Sequence, residues 1–141
     1  MDRARIEKLL PHSGGMVLID RVVSWSREEI VCGAFSHRNP RHPLRTSSGL
    51  SVLAGIEYAG QAIALHSSLT SDEPLVGGVL AILRDVRWEP VDMSSIEDEV
   101  MTTAKQLVKN SGAATYTFGL TAGGRKLLAG TATVAFRRTA K

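Results

Sequence analysis

The chain has 141 residues, 43% of them hydrophobic and 22% charged, a composition and length that fit one globular domain spanning the whole of residues 1–141. Its net charge of +3 and pI near 9.4 permit an acidic partner, but with 5% aromatics and no basic run interleaved with rings, nucleic-acid binding is not expected. The charged N-terminus, the absence of a long apolar stretch and the lone Cys32 point to a cytoplasmic protein without membrane span, disulfide or cysteine-built zinc site.

A short helix is expected at Arg5–Leu10, stopped by Pro11. Val17–Trp25 and Glu29–Ser36 read as strands joined by a turn at Ser26-Arg27-Glu28. His37–Gly49 holds two prolines, several arginines and a Ser-Ser-Gly end, the signature of a loop. Leu50–Leu69 carries no proline and is apolar almost all the way round, which predicts a helix buried on most sides, capped by Ser47, Ser48 or Gly49. Four further strands are expected at Gly78–Trp88, Asp98–Val108, Ala114–Thr121 and Lys126–Arg137. Alternation is plain in Tyr116, Phe118 and Leu120, and Gly123-Gly124 suits a hairpin turn before the last strand. Two strands, a buried helix and four strands make an α+β fold, an antiparallel sheet wrapped around one central helix.

The few polar side chains of the long helix draw attention. Glu57 and Gln61 stand four residues apart and so share a face. A carboxylate buried without a partner gains a proton, and a carboxyl protonated near neutral pH is what a general acid requires. A place at an exposed rim, or an ion pair with a loop arginine, is the structural alternative. Gly55 and Gly60 each cost about 1 kcal/mol relative to alanine in a helix, which suggests close approach by another backbone or a ligand.

These residues resemble a known family. Leu9-Leu10-Pro11-His12, followed by Met16-Val17-Leu18-Ile19-Asp20-Arg21-Val22, is similar to the N-terminal LPH…LLxDRV motif of the FabA/FabZ-type 3-hydroxyacyl-[acyl-carrier-protein] dehydratases, members of the hotdog superfamily. Gly55-Ile56-Glu57-Tyr58-Ala59-Gly60-Gln61-Ala62 resembles the E-x-x-x-Q helix segment that carries that family's acidic catalytic residue, and Leu127–Ala132 resembles its last strand. Within the family the match is to the divergent branch found with aryl-polyene-type biosynthesis. One departure stands out: the family's G-H-F-P-G-x-P-x-M-P-G loop is replaced by Ser36-His37-Arg38-Asn39-Pro40-Arg41-His42-Pro43-Leu44-Arg45. His42 lies fifteen residues before Glu57, one more than the family spacing, so His42 is preferred as the catalytic histidine, with His12 and His37 as alternatives.

The resemblance implies reversible loss of water from a 3-hydroxyacyl thioester in fatty acid or polyene-type biosynthesis. His42 would take the α-proton and Glu57 would protonate the leaving hydroxyl. Backbone N–H groups at Gly49 and Leu50 would face the thioester oxygen, and Gln61 would orient the carboxyl or a water. No metal or other cofactor is implied. The acyl chain would ride on an acyl carrier protein, or on coenzyme A, met by Arg38, Arg41 and Arg45. A homodimer or higher homo-oligomer is implied, with the histidine of one subunit facing the acid of the other. A hotdog acyl-CoA thioesterase using Glu57, or a catalytically inactive partner of an active dehydratase, are the competing readings.

Overall fold

The computed structural model describes residues 1–10, 16–71, 75–110 and 112–138. Helix α1 (Arg3–Leu9) is capped by Asp2, whose carboxylate accepts from Arg5 N–H at 3.1 Å. Strands β1 (Arg21–Trp25) and β2 (Glu29–Ala34) form an antiparallel hairpin, and the long helix α2 (Gly55–Thr70) follows. Then come β3 (Leu75–Trp88), β4 (Val100–Lys109), β5 (Ala113–Ala122) and β6 (Arg125–Arg138). All pair antiparallel in one six-stranded sheet of order β1-β2-β4-β5-β6-β3.

This is the hotdog arrangement expected from the sequence. The alternation of β5 places Ala114, Tyr116, Phe118, Leu120 and Ala122 in the core beside Ile30, Val100 and Ala132. Tyr58, Ala59, Ala62, Ile63 and Leu65 of α2 fill the same core. Helix and sheet pack tightly at Gly55, where an added Cβ would stand 2.8 Å from the Leu120 and Leu128 methyls. At Gly60, no described residue lies within 4 Å of the place its Cβ would take, other than the helix's own backbone. At the β5–β6 turn, Gly123 and Gly124 have φ of +57° and +80°, the left-handed pair that a tight hairpin requires. Among the described residues no helix is long and apolar enough to cross a membrane.

The boundaries of β1 and those around the long helix differ from expectation for a physical reason. β1 begins at Arg21 rather than Val17, because side chains hold Leu18: its N–H donates to Gln61 and its carbonyl accepts from Ser36. The helix starts at Gly55, after a 3₁₀ turn over Val52–Ala54. Leu50 is kept out of it by Asp92, which accepts its N–H, and by Met93 N–H, which donates to its carbonyl. The capping side chain is that of Ser51, two to four residues beyond the expected Gly49, Ser48 or Ser47; its hydroxyl accepts from Leu53 N–H and caps the 3₁₀ turn rather than α2 itself. The segment read as loop contains a 3₁₀ turn at Ser36–Arg38.

Candidate active site

Two proline turns in series set the place of His42. Its N–H donates to Asn39 O across Pro40, and its carbonyl accepts from Arg45 N–H across Pro43, both at 3.0 Å. The Asn39 side chain accepts from Arg41 N–H at 2.9 Å, the asparagine-led turn that its sequence position favours. The ring that results is 4% exposed and packs against Tyr58 with centroids 6.0 Å apart.

The hydrogen bonds of that ring have a fixed direction. Leu44 N–H donates to His42 Nδ1 at 3.1 Å, so in the neutral ring the proton resides on Nε2 and is donated to Tyr58 Oη at 3.1 Å. Ser36 Oγ donates to Leu18 O at 2.6 Å and therefore accepts the Tyr58 hydroxyl hydrogen at 2.7 Å. Burial pushes the Tyr58 phenol up to about 12, which keeps it a donor.

Beyond Leu18 lies the carboxyl. Gln61, fully buried, accepts Leu18 N–H at 2.8 Å and donates through Nε2 to Met16 O at 2.7 Å and to Glu57 Oε1 at 3.3 Å. The structure thus brings Glu57 and Gln61 together, as their spacing requires. Glu57 is half-buried rather than enclosed, on a stripe of α2 shared with Gly60, Ala64 and Ser68. His42 directs its nitrogens to Tyr58 and Leu44, so within the chain it is not the partner of Glu57.

The other expected residues fall as follows. His12 lies outside the described residues. His37 is fully buried, with Nε2 donating to Ile96 O at 3.0 Å and Nδ1 without a hydrogen-bond partner among the described residues. The Gly49 and Leu50 N–H groups, expected to face a thioester oxygen, are engaged instead: Gly49 donates to Thr46 O at 3.0 Å and Leu50 to Asp92 Oδ1 at 2.9 Å. A tight Thr46–Gly49 pairing and an aspartate distant in sequence took both donors. Gly49 and Leu50 nevertheless line a cavity of about 340 Å³ with Trp88 and Val91. A second cavity, about 410 Å³, is walled by Leu18, Phe35, Ser36 and His42, with charge from Arg41 and from the Arg3–Asp20 ion pair. Arg38, Arg41 and Arg45 are exposed on the same loop. Cys32 is buried, and its thiol is pushed up to about 12, so thiolate chemistry is disfavoured there.

Sequence reasoning missed Tyr58 and Ser36, and also a cluster at the far end of α2. There His66 Nε2 donates to Ser26 O at 2.9 Å, and Tyr116 Oη lies 2.6 Å from Nδ1. A usable signal existed: a tyrosine or histidine on a buried face must find a polar partner.

Burial is the first cause lowering the pKa of His37, His42 and His66. Arg38 adds to it at His37, His37 and Arg45 at His42, and Lys109 at His66, while Asp20 opposes at His37 and Glu28 at His66. Unfolding restores rings that protonate near about pH 6.5, so below that pH the unfolded chain binds more protons than the folded one. Stability from these rings is full above about pH 6.5 and falls as the pH drops through their lowered folded values. We expect the urea midpoint to hold between about pH 8 and 7 and to decline from about 6.5 to 5. Asp92 and Glu99, held low chiefly by Ser94 and Arg21 respectively, add their losses only in the lower carboxylate range. A midpoint unchanged down to pH 5 would contradict the expectation.

Comparison with known proteins supplies the family context. Residues 4–140 match the model of the ApeP-like family, described as ApeP dehydratase. No curated protein matches the chain by sequence. A chain of the dehydratase heterocomplex ApeI:P from Xenorhabdus doucetiae superposes with a TM-score of 0.82 at 20% identity, over 96% of this chain and 91% of that one. A mutant of the thioesterase PA1618 from Pseudomonas aeruginosa gives 0.71 at 15% identity, over 99% and 96%. An HP0420 homologue from Helicobacter felis gives 0.65 at 14% identity, over 100% and 96%. At such identities the structural matches establish the fold.

Proposed function

The chain belongs to the ApeP-like dehydratase family, and from that premise we propose that it is a hotdog subunit that removes water from a 3-hydroxyacyl thioester. The observation that carries this reading is the Glu57–Gln61 pair on the half-exposed stripe of α2, a stripe that also holds Gly60. Glu57 gives a proton to the departing hydroxyl, and Gln61 holds its carboxyl in place. His42, on the wall of the 410 Å³ cavity, is assigned the α-proton. For that step Nε2 must first lose its proton, which means giving up the donation to Tyr58, while Nδ1 gains one and turns from Leu44 N–H. Donors to the thioester oxygen come from groups other than Gly49 and Leu50 N–H. These two residues are assigned to the wall against which the acyl chain lies.

The subunit works paired with a hotdog partner, either a second copy or a distinct chain, as in the heterocomplex described above for ApeI:P. An acyl carrier protein presents the substrate, and Arg38, Arg41 and Arg45 meet its acidic surface. Replacing the three arginines by alanine is expected to weaken carrier binding and flatten its salt dependence, measured by titration at several ionic strengths. An unchanged dissociation constant removes the carrier contact from the reading.

The deciding experiment is mass spectrometry of a 3-hydroxyacyl carrier-protein thioester incubated with wild type, Glu57→Gln and His42→Ala, each alone and mixed with a hotdog partner chain. Loss of one water by wild type and by neither variant supports both roles. Water loss that survives in His42→Ala moves the base to His37, whose Nδ1 is the one buried side-chain nitrogen without a partner among the described residues, or to His12. Hydrolysis without dehydration identifies a thioesterase.

A second reading is favoured by one specific observation. Both nitrogens of His42 are engaged within the chain, which suits a subunit that supports a catalytic partner without turning over itself. Water loss seen only in the mixture, and unaffected by Glu57→Gln in this chain, identifies that case.

A further inference from the structure

Tyr58 follows Glu57 directly, yet its hydroxyl points to the other side of the segment that Gln61 holds. It is fully buried, and its two polar contacts are His42 and Ser36. The Ser36 hydroxyl has one hydrogen and gives it to Leu18 O, so Tyr58 must donate to Ser36 and accept from His42. Leu44 N–H imposes the same state from the other edge of the ring, because it needs a lone pair on Nδ1. Two independent sets of hydrogen bonds therefore select one tautomer.

We infer that Tyr58, with Ser36 behind it, is a positioning residue that holds His42 as a neutral ring with its proton on Nε2. The inference rests on the proposed function for its catalytic consequence alone, since the tautomer exists whether or not the chain turns over. Release of the Nε2 hydrogen from Tyr58 becomes the step that readies His42. The same arrangement ties the histidine loop to the acid. Leu18 is gripped at its carbonyl by Ser36 and at its N–H by Gln61, and Gln61 also donates to Glu57. The carbonyl and N–H of Leu18 belong to different peptide groups, so this is a mechanical tie and no route for a proton.

Long-range ¹H–¹⁵N spectra of the uniformly labelled full chain, with His42 assigned by its loss in His42→Ala, read the tautomer directly. Wild type is expected to show one tautomer, Nε2 protonated, from pH 7 to 8. In Tyr58→Phe the ring loses its acceptor, and exchange of the Nε2 hydrogen with water is expected to speed up roughly fivefold or more, the factor one net hydrogen bond carries. In Ser36→Ala the Tyr58 hydrogen is free to turn toward Nε2 and only Leu44 N–H still selects the tautomer, so a minor Nδ1–H fraction is expected to appear beside the first, and Ser36→Thr is expected to restore the single form. Ser36→Ala keeps the test open if Tyr58→Phe fails to fold. A wild-type ring protonated on Nδ1, mixed tautomers in wild type, or a pattern unaltered in either folded variant overturns the inference. Where turnover is measurable, Tyr58→Phe is expected to move the His42 limb of the kcat/KM pH profile. Absence of turnover with the expected spectra sinks the dehydratase reading and leaves the positioning role standing.

Discussion

Glu57→Gln is expected to lower dehydration by on the order of 10²- to 10⁴-fold, the loss that follows removal of a positioned general acid. The substitution replaces one carboxyl oxygen by an amide nitrogen of nearly the same size. Its remaining carbonyl oxygen can still accept from Gln61 Nε2, which lies 3.3 Å from Glu57 Oε1. Because Glu57 is half-buried and the amide keeps the hydrogen bond from Gln61, its replacement should change stability by no more than about 1 kcal/mol. A large fall in turnover with an unchanged melting curve is therefore the signature of chemistry at this carboxyl. Full activity in the variant would remove Glu57 from the reaction. A fall in activity matched by a fall in melting temperature would assign it to the fold.

Gly49→Ala is expected to destabilise the protein by about 2–4 kcal/mol, the sum of left-handed backbone strain and damage to a capping contact. Gly49 has φ of +107°, a conformation that side-chain-bearing residues rarely adopt. An added Cβ would also overlap the carboxylate of Asp92. That carboxylate accepts from Leu50 N–H at 2.9 Å, Ser94 N–H at 3.0 Å and Ser94 Oγ at 2.6 Å. Displacing it would loosen the chain where it enters the 3₁₀ turn ahead of α2, two turns before Glu57. Urea unfolding of Gly49→Ala, Asp92→Ala and the double variant separates the two causes. The double variant should relieve the overlap and keep the strain, so its loss should be smaller than the sum of the two single-variant losses. A single-variant loss below about 0.5 kcal/mol would show that the backbone adapts freely at this point.

Much of the fold could be read from local pattern. The inward alternation of β5 needs only the two-residue period of a strand, and Glu57 and Gln61 share a face because a helix turns every 3.6 residues. Gly123-Gly124 marks its hairpin because few other residues take two left-handed conformations in succession. The resemblance read from the Leu9–His12, Met16–Val22 and Gly55–Ala62 segments pointed to the family to which the chain belongs.

What the sequence could not decide depends on partners far away along the chain. Asp92 determines where α2 begins and whether Leu50 N–H is free, from 42 residues away. Gln61 keeps Val17–Asp20 out of β1 by accepting Leu18 N–H across 43 residues. The protonation of His42 is set by Leu44 two residues on, by Tyr58 16 residues on, and through Tyr58 by Ser36, 22 residues before it. A histidine, a tyrosine and a serine each have several possible hydrogen-bond partners. Only the packed structure, by excluding water and bringing Tyr58 Oη within 2.7 Å of Ser36 and 3.1 Å of His42, selects among them. Residue type and spacing determined which groups carry chemistry, and tertiary contacts decided which of their protons and lone pairs remain available.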